Sequence, residues 1–120
     1  MAILLSDLLN MSMPQGRTVV ENVTGPQVVG DTNSNSLMMS LDLLPVTWLF
    51  DNLAKFGVTV RIVQGDDGLI TFAPKAGAFV DNALGFHTSG GKNTEIVATV
   101  VGNPDNISAR WLLTGMMQSP

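Results

Sequence analysis

Strict alternation of apolar and polar positions dominates the second half of the chain. Val58, Val60 and Ile62 alternate with Thr59, Arg61 and Val63, the period of two that sends successive side chains to opposite faces of a strand. Gly65-Asp66-Asp67-Gly68 reads as a four-residue turn, with Leu69 to Ala73 returning as the partner strand of a hairpin. Thr94 to Val101 makes a further strand. Asn103-Pro104-Asp105-Asn106 has turn chemistry, with proline at the favoured second position. The return run from Ile107 to Leu113 places Ile107, Ala109, Trp111 and Leu113 inward and Ser108, Arg110 and Leu112 outward.

Upstream the pattern is more broken. Thr18, Val19, Val20 and Val23 give β-branched character before the Gly25-Pro26 breaker, and Gln27 to Val29 continues as a short strand. Gly30 to Ser36 is a polar surface loop. Leu37 to Leu44 again has a period of two, with Met39, Leu41 and Leu43 on one face and Met38, Ser40, Asp42 and Leu44 on the other. Between Pro45 and Gly57 the period changes. Leu49, Leu53 and Phe56 recur at i, i+4 and i+7, Asp51 and Lys55 form an i,i+4 pair, Thr47 supplies an N-cap and Gly57 a C-terminal cap. This predicts one short helix over residues 47–56. Trp48 and Phe50 leave that helix apolar over most of its circumference, so it is expected to be covered on more than one side. Lys75 to His87, carrying Phe79, Val80, Leu84 and Phe86, is a semi-irregular excursion, and Thr88 to Asn93 a turn.

Residues 1–16 stand apart. Ser6 and Asp7 cap a short turn whose apolar face is Leu4, Leu5, Leu8 and Leu9, and Met11, Met13, Pro14 and Gly16 then break any regular element. The reading is an N-terminal arm over 1–16 and a single β-rich domain over 17–120. The expected fold class is mainly β with a minor α contribution: an antiparallel β-sandwich or partly open barrel with the one helix and the arm. No internal repeat of fixed period is visible.

Composition narrows the chemistry. The chain of 120 residues has no cysteine and one histidine, His87. Disulfides and thiolate metal sites are therefore excluded, and a reducing compartment is favoured. A catalytic triad would need His87, whose Gly-Phe-His-Thr-Ser surroundings lack a nucleophile elbow. Asp66 and Asp67 are adjacent carboxylates without calcium-loop spacing. Trp48 and Trp111 could stack on a sugar or base, but their apolar surroundings place them in the core. The expectation is no enzymatic activity, no catalytic or metal-binding residues and no cofactor.

Only 13% of residues are charged and the net charge is −4, about half the charged share of an ordinary globular domain. Arg17, Lys55, Arg61, Lys75, Lys92 and Arg110 are scattered singly, which disfavours both nucleic acid and anionic membranes as partners. The longest apolar stretch, Leu43 to Phe50, is far short of the ~20 residues needed to span a bilayer. The leading Met-Ala-Ile-Leu-Leu-Ser-Asp has no basic region and does not read as a secretory signal.

A mean hydropathy of +0.28 with so few charges suggests a surface partly covered by a partner or by copies of the same chain. Methionine, which adapts its shape to irregular apolar contacts, occurs in the pairs Met38-Met39 and Met116-Met117 and in the arm. The candidate interface residues are Leu4, Leu5, Leu8, Leu9, Met11, Met13, Met38, Met116 and Met117.

The low charge, the apolar helix, the apolar arm and the methionine pairs together give the chain an overall character that resembles the small decoration, or cement, proteins of tailed-phage capsids. That resemblance implies a β-rich, non-catalytic structural protein, often trimeric, whose terminal arm clamps neighbouring capsid subunits. The implied partners are copies of itself and a larger protein lattice such as a capsid. The implied location is the virion, with the cytoplasm as the alternative. The competing function is a small β-sandwich module that binds a ligand or carbohydrate.

Overall fold

A computed structural model describes residues 19–119. Eleven strands are present among the described residues: β1 Val19–Val23, β2 Gln27–Val29, β3 Ser36–Ser40, β4 Val46–Phe50, β5 Thr59–Gln64, β6 Ile70–Pro74, β7 Phe79–Asn82, β8 Thr88–Ser89, β9 Glu95–Gly102, β10 Arg110–Gly115 and β11 Met117–Gln118. They form two sheets, ordered β1-β3-β5-β9-β10-β7 and β11-β8-β6-β4-β2. The expected mainly β, sandwich-like fold is present, with mixed rather than antiparallel sheets.

The first six strands alternate between the sheets. β1, β3 and β5 lie side by side in one, and β2, β4 and β6 in the other, all parallel to their neighbours. Each connection is therefore an arch from sheet to sheet, and three arches (β1/β2, β3/β4, β5/β6) stack on one another. Antiparallel pairing follows: β8 joins β6 in the second sheet, and β9 joins β5 to β10 in the first. The C-terminal hairpin is as expected, with a register shift between Arg110 and Trp111.

The turn Gly65 to Gly68 is not a hairpin, because β5 and β6 belong to different sheets. Its glycines serve close stacking. Gly65 and Gly68 donate their N–H groups to the carbonyls of Ser40 (2.8 Å) and Asp42 (2.9 Å) on the arch beneath. A Cβ on Gly68 would collide with the Leu44 carbonyl and lie 2.7 Å from that of Asp42; one on Gly65 would lie 2.6 Å from Met39 Cγ. Only glycine allows the arches to approach this closely.

No helix forms over 47–56. Residues 46–50 are β4, a Val-Thr-Trp-Leu-Phe run of β-branched and aromatic residues that fits a pleated surface. Trp48 and Phe50 point into the core. Leu53 and Phe56, two members of the helical stripe, are exposed (54% and 74%). Asp51 contacts Lys75 at 3.9 Å rather than Lys55, whose N–H goes to Asp31 Oδ1 at 2.8 Å. Gly57 does adopt left-handed backbone (φ 91°), but it closes an arch. The only helical turn among the described residues is the 3-10 segment Asp31–Asn33. The strand expected to reach Leu44 ends at Ser40, with Ser36, Met38 and Ser40 facing the core and Leu41, Leu43 and Leu44 exposed. Ile107, expected inward, is also exposed because β10 begins only at Arg110. The expected turn from Thr88 to Asn93 opens with strand β8, whose Thr88 and Ser89 are both buried.

The core lies between the sheets. Trp48, Phe50, Ile70 and Phe72 come from one side, and Val60, Ile62, Ile96, Ala98, Trp111 and Leu113 from the other. Phe50 is central, with its ring centroid 4.8 Å from that of Trp111 and 5.8 Å from that of Phe72. Each such side chain contributes about 1.5–3 kcal/mol by burial. The parallel strands β1, β3, β5, β7 and β10 run in one direction and end at one pole of the sandwich.

Candidate functional site

Of the nine candidate interface residues, Leu4, Leu5, Leu8, Leu9, Met11 and Met13 lie outside the described residues. Met38 is withdrawn: it is 1% exposed on the inner face of β3, in register with Ile62 of β5. The core-facing and outward members of that pair are the reverse of what an interface role for Met38 requires, and Met39 is the half-buried outward residue. Met116 and Met117 are brought together with residues from β7, the following turn and β10.

The local sequence explains how. Gly115 has φ 114°, and a Cβ there would strike the Glu95 carbonyl. The chain turns at this point, and Met116 N–H donates to Glu95 O at 3.1 Å. Strand β11 then crosses to the second sheet, pairing Met117 with Ser89. Gly90 lies under Met116: a Cβ there would lie 2.6 Å from Met116 Cγ. Across from this turn, Asn82 organises residues 83–86. Its Oδ1 accepts from the N–H groups of Leu84 (3.0 Å) and Phe86 (3.2 Å), and its Nδ2 donates to Leu113 O (3.0 Å) and Met117 Sδ (3.3 Å).

The result is a groove of about 220 Å³ lined by Asn82, Leu84, Phe86, Leu113, Thr114 and Met117. Leu84, one of the lining residues, is 73% exposed; Met116, whose side chain packs over Gly90 between the lining residues Gly115 and Met117 in sequence, is 61% exposed. A second, wider groove of about 440 Å³ sits at the same pole, between Pro26, Asp42, Leu44 and Pro45. Asp42 is committed to structure there, with both carboxylate oxygens accepting the Gly25 N–H at 2.9 and 3.0 Å. Neither groove has a titratable pair aimed into it. The chemistry on offer is exclusion of water from apolar side chains, with the Asn82 amide already engaged.

His87 is exposed, and its backbone carbonyl accepts from Phe72 N–H at 2.8 Å. Asp66 faces Lys92 at 3.8 Å. No group of three or more potential metal ligands occurs among the described residues. Among the described residues two ionisable groups are displaced from their ordinary values, both outside the grooves. Arg61 is raised by its hydrogen bond to Glu95 and the charge of that carboxylate. Asp105 is lowered by the Ile107 N–H and the Ser108 hydroxyl.

Leu84 and Phe86 were not singled out as site residues in the sequence. The available signal was an apolar residue inside a turn, Asn82-Ala83-Leu84-Gly85, where a polar one is usual. No protein-family model, curated protein or solved structure matches the chain.

Proposed function

We propose that the protein is a non-enzymatic assembly component that binds copies of itself through the apolar groove bounded by β7, β10 and β11. The observation that carries this is the largely exposed Leu84 on a groove lined also by Phe86, Leu113 and Met117, with the exposed Met116 adjacent in the chain to the lining residues Gly115 and Met117. Exposed apolar residues grouped at a concave site mark interaction surfaces, whereas the same residues scattered singly do not. Methionine and leucine suit an adaptable contact. Leu41, Leu43 and Leu44 extend the apolar character across the same pole.

The resemblance to capsid decoration proteins makes a virion lattice the first larger partner to test. The alternative, a carbohydrate-binding module, draws less support, since both tryptophans that could stack on a sugar are fully buried. The test is native mass by light scattering over a concentration series for the wild type, Leu84→Asp and Met116→Asp. The expected result is an oligomer of the 12.7 kDa chain that falls to monomer in both variants. A wild-type monomer at high concentration, or an oligomer indifferent to both substitutions, overturns self-association through this groove.

A further inference from the structure

Among the described residues the first arch has an open side. β1 is the edge of one sheet and β2 the edge of the other. In a parallel pair alternate residues direct both backbone groups to the same neighbour. Val23 C=O accepts from Leu41 N–H at 2.9 Å, and Val29 C=O from Asp51 N–H at 2.8 Å. The residues bonded inward are therefore Val19, Glu21 and Val23 on β1, and Gln27 and Val29 on β2. Val20, Asn22 and Val28 turn their N–H and C=O groups to the open edge. Val19, Val20 and Val28 are also exposed there. Two edges whose outward backbone groups have no strand partner among the described residues, with β-branched side chains beside them, form a template for strand addition.

One residue departs from this apolar edge. Glu21 is in register with Met38, which is in register with Ile62 and, through it, Ile96. It therefore occupies the edge position of a row whose other members are buried apolar side chains facing the core. An inward-facing charge on an edge strand is a recognised obstacle to edge-to-edge pairing.

We propose that Glu21 makes this edge a charge-selective strand acceptor: it rejects a second copy of its own β1 and admits an extended segment of another polypeptide with Lys or Arg opposite Glu21. Two β1 strands meeting antiparallel through their outward groups pair Val20 with the second copy's Asn22, and the reverse. That register sets Glu21 directly against the second copy's Glu21 in a non-hydrogen-bonded pair, where Cα atoms are about 4.5 Å apart. Like charges so placed oppose pairing, and opposite charges favour it. The backbone groups supply affinity, and the carboxylate decides which strand is accepted. Because any self-association through the groove uses other strands, the two proposals fail separately.

The Glu21→Lys protein is itself the probe, since its β1 carries a cation at the required position. In a Leu84→Asp background, which removes the groove contact, the otherwise wild-type chain, Glu21→Lys and an equimolar mixture of the two are measured at low ionic strength by light scattering. The expected result is a species in the mixture with twice the mass found for either protein alone, lost at high salt. It is also lost when the wild-type partner carries Asn22→Pro, which removes an outward N–H while sparing the bonds to β3. Should Glu21→Lys fail to fold, Glu21→Val provides the second test, and its mass is expected to double by self-pairing. A mixture with the masses of its separate components, or a Glu21→Val protein with the wild-type mass, overturns the proposal.

Discussion

Ser89 on β8 and Gln64 on β5 are hydrogen-bonded across the two sheets, with Ser89 Oγ donating to Gln64 Oε1 at 2.6 Å and both side chains fully buried. The same Ser89 Oγ accepts from Ile70 N–H at 2.8 Å, and Gln64 Nε2 donates to Asp66 C=O at 2.9 Å. This closed set of polar groups pins the third arch to the strand that covers it. Ser89→Ala leaves a buried amide oxygen and a buried N–H unpartnered, an expected loss of roughly 2–4 kcal/mol. Denaturant titration of Ser89→Ala, Gln64→Leu and the double variant checks this. The double variant is expected to be more stable than the sum of the single losses.

The stacked-arch topology has its own test. Gly68→Ala drives a methyl group into the backbone of the arch beneath and is expected to cost about 1–3 kcal/mol. Gly102→Ala meets nothing within 4 Å and is expected to be neutral or to stabilise by up to ~1 kcal/mol. In a β5–β6 hairpin Gly68 would be open and both substitutions mild, so comparing melting midpoints of the two variants separates the topologies.

The two core tryptophans are expected to differ. Trp111 Nε1 donates to Asp51 C=O at 2.9 Å, whereas the buried Trp48 Nε1 has no hydrogen-bond partner among the described residues. Replacing each with phenylalanine removes similar volume, but only Trp111→Phe also breaks a bond and strands an acceptor. Trp48→Phe is therefore expected to cost less, by roughly 1–3 kcal/mol. Equilibrium unfolding of both variants gives the difference.

Asp105 carries a pH dependence of definite sign. Its carboxylate accepts from Ile107 N–H at 3.0 Å and from the Ser108 hydroxyl at 2.9 Å, which lowers its pKa in the folded chain. Its contribution to stability is thus present above the unfolded-state value of about 3.9 and is lost as pH falls through the lower folded value. A side-chain NMR titration is expected to place its midpoint below the ordinary aspartate range. Ser108→Ala is expected to move that midpoint upward.

Alternation made much of the sheet structure readable. Val60 and Ile62 face inward as their period of two required, as do Ala109, Trp111 and Leu113. The failures share a cause. Leu49, Leu53 and Phe56 have helical spacing, but β4 buries Trp48 and Phe50 instead, a choice made by partners on β2 and β6 that lie far off along the chain. Gly65 to Gly68 carries the composition of a hairpin turn and of a tight arch alike; the difference lies in the backbone of Leu41–Pro45 packed beneath, which no local pattern encodes. For the site, Met116 and Met117 were visible as an unusual pair. Met38 was not separable from Met39 until β3 had neighbours, and the ordering of Leu84 and Phe86 by Asn82 depends on contacts within a turn rather than on periodicity. The absent repeat has a physical reason too. The step along the chain from Val19 to its partner Ser36 is shorter than that from Leu37 to its partner Arg61, so successive arches match in register but not in length.

That uneven stack governs how the chain must find its shape. None of the parallel pairs among β1 to β6 can close locally, since each waits for a strand that follows only after a full arch has been made. The β9–β10 hairpin, built around a short turn, is the exception, and it comes late in the chain. Loop-closure entropy must be met before non-local pairs return any energy, which places such topologies among slow folders. During synthesis β1 and β2 therefore find their in-sheet neighbours in β3 and β4, whereas the third arch gains its final neighbours only after β8 and β9 have emerged. The exposed Arg61 and Thr71 break the apolar runs of β5 and β6, the arch that waits longest for its last partner.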